Sequence, residues 1–369
     1  MKVMTVFGTR PEAIKMAPII KELERRKIEQ VICVTAQHRQ MLDQVINLFE
    51  IKPDYDLNIF KEGQTLTDIT INALKGLEEV VKKELPDILL IQGDTTTVFA
   101  GALAAFYQKI KIGHVEAGLR SYNLYSPYPE EANRKLTGVL TNFHFAPTLS
   151  NRDNLLREGY DEKSIFITGN TVIDALKYTV KDDYKFKDEV LSQIDFENKK
   201  VILLTSHRRE NIGEKMEHIF SGIKRAVEEV KDAIVVFPVH LNPRVREIAN
   251  RVFKENEDIY LVEPLEYEPF TNLMARSFIV VTDSGGLQEE APALGKPVLV
   301  IRDETERPEG ISAGTAKLVG TEEENVYKNL KELLTDEKLY SKMARAVNPY
   351  GDGKASERIV DILLDKLSK

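Results

Sequence analysis

The sequence predicts an α/β protein made of two doubly wound, parallel-sheet domains. Short β-branched runs alternate with helical stretches through most of the chain, the pattern of a parallel sheet covered by helices. The alternation pauses near Gly169 and then resumes after a strongly charged stretch. The length of 369 residues also exceeds the ~250–300 at which a single core stops growing.

The first half opens with a strand at Val3–Phe7, followed by Gly8-Thr9-Arg10-Pro11-Glu12 and a helical pattern through Ile19, Ile20 and Leu23. Pro11 suits the first helical position, and Pro18 is expected to kink or restart the helix. Strands recur at Val31–Thr35, Ile88–Gln92, Ile112–Val115, Phe143–Ala146 and Ile165–Thr168. Helices are predicted at Gln40–Phe49, Leu66–Lys83, Thr97–Gln108, Glu131–Leu140 and Asn151–Glu158. Residues 181–199 read as a linker with a surface helix. The second half has strands at Val201–Thr205, Ala233–Pro238, Ile259–Val262, Phe278–Thr282 and Pro297–Ile301. Breakers at 348–353 set off a last helix with Ile359, Ile362, Leu363 and Leu367 on one face. The expected domains are 1–170, 171–350 and a terminal helix in 351–369.

Composition narrows the function. Apolar residues at 42% and charged residues at 30% describe a globular protein. A net charge of −8 argues against nucleic acid or an anionic membrane as the main partner. Cys33 stands alone in an apolar run, which excludes a disulfide framework and fits a reducing cytoplasm. The N-terminal segment is too short for a signal peptide or membrane span, so a cytoplasmic location is expected. No Gly-x-Gly-x-x-Gly follows a strand, and the six histidines lack metal-ligand spacing. Neither NAD nor a catalytic metal is expected.

Ligands of open α/β sheets bind beyond the carboxyl ends of the strands. Polar loops follow four of them: Gly8-Thr9-Arg10 with Lys15, Gly93 to Thr97 with Asp94, Glu116 to Ser121, and Ser206 to Glu210. A fifth, Ser284-Gly285-Gly286, runs from a strand into a helix that carries Glu290. Its glycines let backbone N–H groups approach a phosphate, and Glu290 could accept from a ribose. Singly, each has a plain alternative. Asp94 could cap the next helix, His207 could be a loop histidine, and Arg208 with Arg209 a solvated pair. Together they gather carboxylates in the first half (Asp94, Glu116, Glu130, Glu131) and anion-binding groups in the second (Arg208, the Ser-Gly-Gly turn, Arg307). That division suggests a nucleotide diphosphate held by the second domain, its sugar facing carboxylates of the first.

Five segments carry a family resemblance: Gly8–Glu12, Gly93–Thr97, His114–Arg120, Pro129–Arg134 and Thr282–Glu290. In this order they resemble the non-hydrolysing UDP-N-acetylglucosamine 2-epimerases, with a match from residue 2 to the last helix. The resemblance implies two Rossmann-like domains facing across a cleft, the glycosyltransferase B arrangement, with the last helix crossing back to the first domain. It implies an isomerase interconverting UDP-N-acetylglucosamine and UDP-N-acetylmannosamine without NAD, in the service of polysaccharide synthesis, and a homodimer. Asp94, Glu116, Glu130 and His207 match its catalytic positions. Arg10, Lys15, Phe270, Ser284, Gly285, Gly286, Glu290 and Arg307 match its nucleotide-binding positions, beside Arg208 from the reading above. Leu265 departs from the family's Gln, so a uracil contact there would be made by backbone. The stretch Gln37-His38-Arg39-Gln40-Met41, with Gln64, Glu131, Arg209 and His240, resembles a site where a second UDP-N-acetylglucosamine acts as an allosteric activator.

The chemistry fits the residues. The C2 proton of the sugar is not acidic. Without NAD to oxidise C3, the open route is anti elimination of UDP to a 2-acetamidoglucal and re-addition after protonation of the other face. That route asks for carboxylates at the sugar and positive groups at the leaving diphosphate. A glycosyltransferase would need an acceptor, a hydrolysing epimerase would release free sugar, and a silent nucleotide-sugar sensor would not need the carboxylates.

Overall fold

The computed structural model describes residues 1–37, 39–254 and 256–367. The chain divides into two units, Met1–Tyr178 with Tyr350–Lys369, and Thr179–Pro349. Each is built on its own parallel sheet.

In the first unit the strands are β1 (Lys2–Phe7), β2 (Glu29–Val34), β3 (Tyr55–Asp56), β4 (Ile88–Gln92), β5 (Lys111–Val115), β6 (Phe143–Ala146) and β7 (Ile165–Ile167). Between and after them lie α1 (Arg10–Arg25), α2 (Arg39–Leu48), α3 (Leu66–Glu84), α4 (Thr96–Tyr107), α5 (Glu130–Leu140), α6 (Leu149–Arg157) and α7 (Thr171–Thr179). The sheet order is β3-β2-β1-β4-β5-β6-β7. Val3, Met4, Val6 and Phe7 are all fully buried, because helices cover both faces of a central parallel strand. The order reverses between β1 and β4, so the loops after these strands diverge and leave a crevice at the carboxyl edge.

In the second unit the strands are β8 (Lys200–Thr205), β9 (Ala233–Pro238), β10 (Ile259–Val262), β11 (Ile279–Thr282), β12 (Val298–Val300) and β13 (Ala316–Leu318). The helices are α8 (Glu214–Glu229), α9 (Pro243–Val252), α10 (Tyr267–Arg276), α11 (Leu287–Ala293), α12 (Pro308–Ala313), α13 (Glu323–Thr335) and α14 (Glu337–Ala344). The order β10-β9-β8-β11-β12-β13 places its reversal between β8 and β11. Phe220, Phe237 and Phe253 fill the core, with ring centroids 4.9 to 6.5 Å apart.

The last helix, α15 (Ala355–Leu367), belongs to the first unit. Ile359, Val360 and Leu363 are fully buried. Asp174 of α7 caps it from outside, accepting from Ala355 N at 3.1 Å and Ser356 N at 2.8 Å. Arg26 pairs with Asp361.

Some elements differ from the sequence reading. Helix α1 runs through Pro18 without restarting, with Met16, Ala17, Ile19 and Ile20 buried on both sides of it. The missing Pro18 N–H removes one backbone bond, and core packing outweighs that loss. The pause after Gly169 holds a helix, α7. Residues 181–199 contain no α-helix, only a 3-10 turn at Leu191–Gln193. There Asp188 accepts from Val190 N and Leu191 N at 3.0 and 2.9 Å, and Asp195 from Glu197 N and Asn198 N at 3.1 Å each. Such local bonds offer the backbone an alternative to a helix.

Candidate active site

In the first unit the polar loops meet at the carboxyl ends of β1, β4 and β5. Asp94 does not cap α4. That role falls to Thr95, whose hydroxyl accepts from Val98 N at 3.3 Å. Asp94 is instead held from α5. Arg134 donates to its Oδ2 through Nε at 2.9 Å and Nη2 at 2.7 Å, and Asn133 donates to its carbonyl at 2.9 Å. Behind it, His114 is buried with Nε2 2.7 Å from the Gly93 carbonyl. A carbonyl only accepts, so Nε2 carries the proton. Burial lowers the His114 pKa to about 4, which keeps the ring neutral.

Glu116 follows β5 with φ 64°, in the left-handed region that non-glycine residues rarely occupy. Such strain, about 1–2 kcal/mol, persists where surrounding structure over-determines it. Lys15 of α1 pairs with its carboxylate, and Gln92 Nε2 donates to it at 2.5 Å. Gly118 is fixed by space as well as by φ 92°: a Cβ there would lie 2.2 Å from the Asn151 carbonyl.

Glu130 and Glu131 begin α5 and differ sharply. Glu130 Oε2 is buried with no hydrogen-bond partner among the described residues. Glu131 is fully buried and accepts from Ser121 N at 3.0 Å, Tyr122 N at 3.1 Å and Arg134 Nη1 at 3.0 Å. Its carboxylate therefore holds the loop after Glu116 in place. Arg10 opens α1 with no ion-pair partner among the described residues. Of the proposed activator group, Gln37 accepts from Thr97 Oγ1 at 3.1 Å, Gln40 and Met41 are exposed on α2, and Gln64 is half-buried. His38 lies outside the described residues.

In the second unit the loops after β8 and β11 flank the strand-order reversal and are bound by Asp283. This fully buried carboxylate accepts from Ser206 Oγ, His207 N, Arg208 N and Asn211 Nδ2, at 2.9 to 3.2 Å for the shorter contact of each. His207 Nδ1 stands 3.3 Å from Asp283 Oδ1, while 42% of the side chain is exposed. Desolvation lowers its pKa against the opposing pull of Asp283. The rings of His207 and His240 stack at 5.7 Å. Arg209 is exposed on the same loop.

Arg208 Nη2 donates to Glu306 Oε1 at 3.2 Å, and Arg307 pairs with Glu289. Both cations thus carry carboxylates beside them. The Ser284-Gly285-Gly286 turn leads into α11, with Ser284 N bonded to Thr282 Oγ1 at 2.9 Å. A Cβ on Gly285 would come 3.0 Å from Glu306 Oε1. Glu290 is buried and accepts from Tyr267 O–H at 3.1 Å, and Phe270 lies on the same helix as Tyr267.

A family model described as UDP-N-acetylglucosamine 2-epimerase matches residues 21–364. A Bacillus subtilis UDP-N-acetylglucosamine 2-epimerase is 60% identical over 365 residues, 99% of this chain and 95% of the relative. The chain belongs to the UDP-N-acetylglucosamine 2-epimerase family. The Neisseria meningitidis UDP-GlcNAc 2-epimerase, solved bound to UDP-GlcNAc, is 52% identical and superposes with a TM-score of 0.86 over 99% of this chain and 100% of that one. The S. aureus protein MnaA, solved with UDP, is 52% identical with a TM-score of 0.89 over 100% and 97%.

Within this epimerase-family site, sequence reasoning assigned no role to Gln92, Asn133, Arg134 or Asp283. Arg134 and Asn133 stood in a quoted segment, and Asp283 sits one residue before Ser284. What marks them is a contact with another loop, and a single chain of letters carries no trace of which loops touch.

Proposed function

We propose that this chain interconverts UDP-N-acetylglucosamine and UDP-N-acetylmannosamine by eliminating UDP across C1–C2 and adding it back. What carries the reading is the set of three carboxylates at the switch-point edge of the first sheet: Asp94, strained Glu116, and Glu130 with its unpartnered oxygen. In the forward step one of them takes the C2 proton. The C–H electron pair becomes the C1–C2 double bond, and the C1–O bond breaks with its electrons going to UDP. Protonation of the other face of C2 and return of UDP to C1 complete the epimerisation.

Charge builds on the departing diphosphate. Arg10, Lys15, His207, Arg208, Arg307 and the Ser284–Gly286 turn are the groups assigned to offset it, with Phe270 and Glu290 on the nucleoside. A second UDP-N-acetylglucosamine acting through the Gln37–Met41 stretch with Gln64, Glu131, Arg209 and His240 is part of the reading. So is a homodimer, for which exposed Phe106, Tyr107, Leu136 and Val139 on α4 and α5 offer apolar surface. No described helix is long and apolar enough to cross a membrane. The buried thiol of Cys33, pushed up to about 12, is unreactive, and we place the enzyme in the cytoplasm.

The test is turnover of UDP-N-acetylglucosamine in deuterated water with rapid quench. Deuterium at C2, together with trapped 2-acetamidoglucal and UDP, is the expected result. Deuterium uptake without glycal or UDP overturns elimination, and release of free N-acetylmannosamine identifies a hydrolysing enzyme. Asp94→Asn, Glu116→Gln and Glu130→Gln are each expected to lower turnover on the order of 10²-fold or more, with UDP binding retained.

A further inference from the structure

Glu12 is a buried carboxylate, 2% exposed, with no Lys, Arg or His paired to it among the described residues. It sits three residues after Thr9, the N-cap of α1, where a reciprocal capping box is formed by either Glu or Gln. Burying an ionisable group without a counter-ion is costly, so for capping alone Gln would serve at less expense. The difference between the two residues lies in the second oxygen.

Oε2 accepts from Gly8 N at 3.2 Å, Thr9 N at 2.8 Å and Thr9 Oγ1 at 2.7 Å, all in the loop after β1. Oε1 accepts from Thr95 Oγ1 at 2.8 Å, in the loop after β4. The Thr95 hydroxyl has one proton, and its oxygen already accepts from Val98 N. It donates that proton to Glu12 Oε1. A Gln could keep the first set of bonds, but its amide N–H₂ would then donate to the second lone pair of Thr95 Oγ1, and the bond between the loops would run in the opposite direction. An ionised carboxylate accepts from both loops at once, whereas Gln or the protonated acid holds the second loop by donating to it.

The loop after β1 also meets the end of β2 and the start of α4 without room to spare. A Cβ at Gly8 would fall 2.1 Å from Thr35 Oγ1 and 2.8 Å from Thr97 Oγ1. Thr95 is the residue after Asp94, whose other flank is held by Asn133 and Arg134.

We propose that Glu12 is a positioning residue: through Thr95 it locks the loop bearing Asp94 to the loop bearing Arg10, and so fixes where the Asp94 carboxylate stands. The proposal rests on the reading of Asp94 as an acid–base group. A misplacement of about 1 Å is enough to cost catalysis on the order of 10²-fold.

The full-length chain is assayed for kcat and KM with UDP-N-acetylglucosamine, alongside melting temperature, as wild type, Glu12→Ala, Thr95→Val, Thr95→Ser and the Glu12→Ala/Thr95→Val double variant. Glu12→Ala and Thr95→Val both remove the contact and are expected to lower kcat about 10-fold or more with KM changed by less than about 3-fold. Thr95→Ser keeps the hydroxyl and is expected to retain kcat within about 2-fold. Each single change also removes a helix cap, and what the two share is the contact, so the double variant is expected to fall by clearly less than the product of the single effects. Turnover within about 2-fold of wild type for a folded Glu12→Ala or Thr95→Val overturns the positioning role, as does a double variant that falls by the full product. Asp94→Asn is the control: a slow Asp94→Asn beside a fast Glu12→Ala removes only the positioning role, whereas a fully active Asp94→Asn removes the reading beneath it as well.

Discussion

Glu130 and Glu131 are neighbours in sequence and opposites in the fold. Glu130 carries an oxygen that is buried without a partner, so its carboxylate adds nothing to stability that Gln would not supply. Glu131 is fully buried and bonded on both oxygens, and Arg134 depends on it. Glu130→Gln is therefore expected to melt within about 2 °C of wild type, while turnover falls. Glu131→Gln breaks a buried ion pair and is expected to cost about 3 kcal/mol, read by urea unfolding. Equal stability of the two variants would contradict this division of roles. Gly118 is a second sharp position. Its positive φ and a 2.2 Å approach of a Cβ to the Asn151 carbonyl leave Gly118→Ala no accommodation. A loss of about 2 kcal/mol or more is expected in the same measurement.

At the scale of elements, β5 and β6 pair with His114 opposite His144. Both rings are buried, and burial lowers their pKa values to about 4 and about 3 from the ordinary 6.5. A depressed histidine binds its proton more readily when unfolded. The stability tied to the neutral rings is thus fully present above about pH 6.5 and is lost as pH falls toward 4 and 3. By pH 4.5 each ring costs on the order of 2–3 kcal/mol. Glu12 works in the other direction, since burial raises it to about 7 and its protonated form favours the fold in acid, an effect lost as pH rises through 7. His144→Phe removes one term of the first kind, and melting temperatures from pH 7.5 to 4.5 are expected to fall less steeply than in wild type. Parallel curves would contradict the assignment. The central strands were legible in sequence because both their faces are buried and their apolar runs are unbroken. The edge strands Tyr55–Asp56 and Ala316–Leu318 are too short to show a period. Asp94 was legible as a polar loop residue after a strand, yet its freedom from capping duty depends on Thr95, one position on, which the sequence leaves open.

At the scale of the molecule, the chain leaves the first unit at Tyr178 and returns to it at Tyr350. The last helix is the consequence. Three of its side chains, Ile359, Val360 and Leu363, are fully buried, its N-terminus is capped by Asp174, and Arg26 holds Asp361. All of these contacts lie in the first unit, so the terminal residues join partners made 181 positions earlier in the chain, at Asp174, and 335 positions earlier, at Arg26. Ile359→Ala removes buried methyl and methylene groups from that core and is expected to cost about 2–5 kcal/mol. The two units have separate sheets and separate cores, and the loss belongs to one of them. Hydrogen exchange read by mass spectrometry should show amides of β1, α1 and α7 losing protection, while those of β8, β9 and α8 exchange as in wild type. Uniform loss of protection across both sheets would mean that the chain unfolds as a single cooperative block, and the two cores would then have to be treated as one.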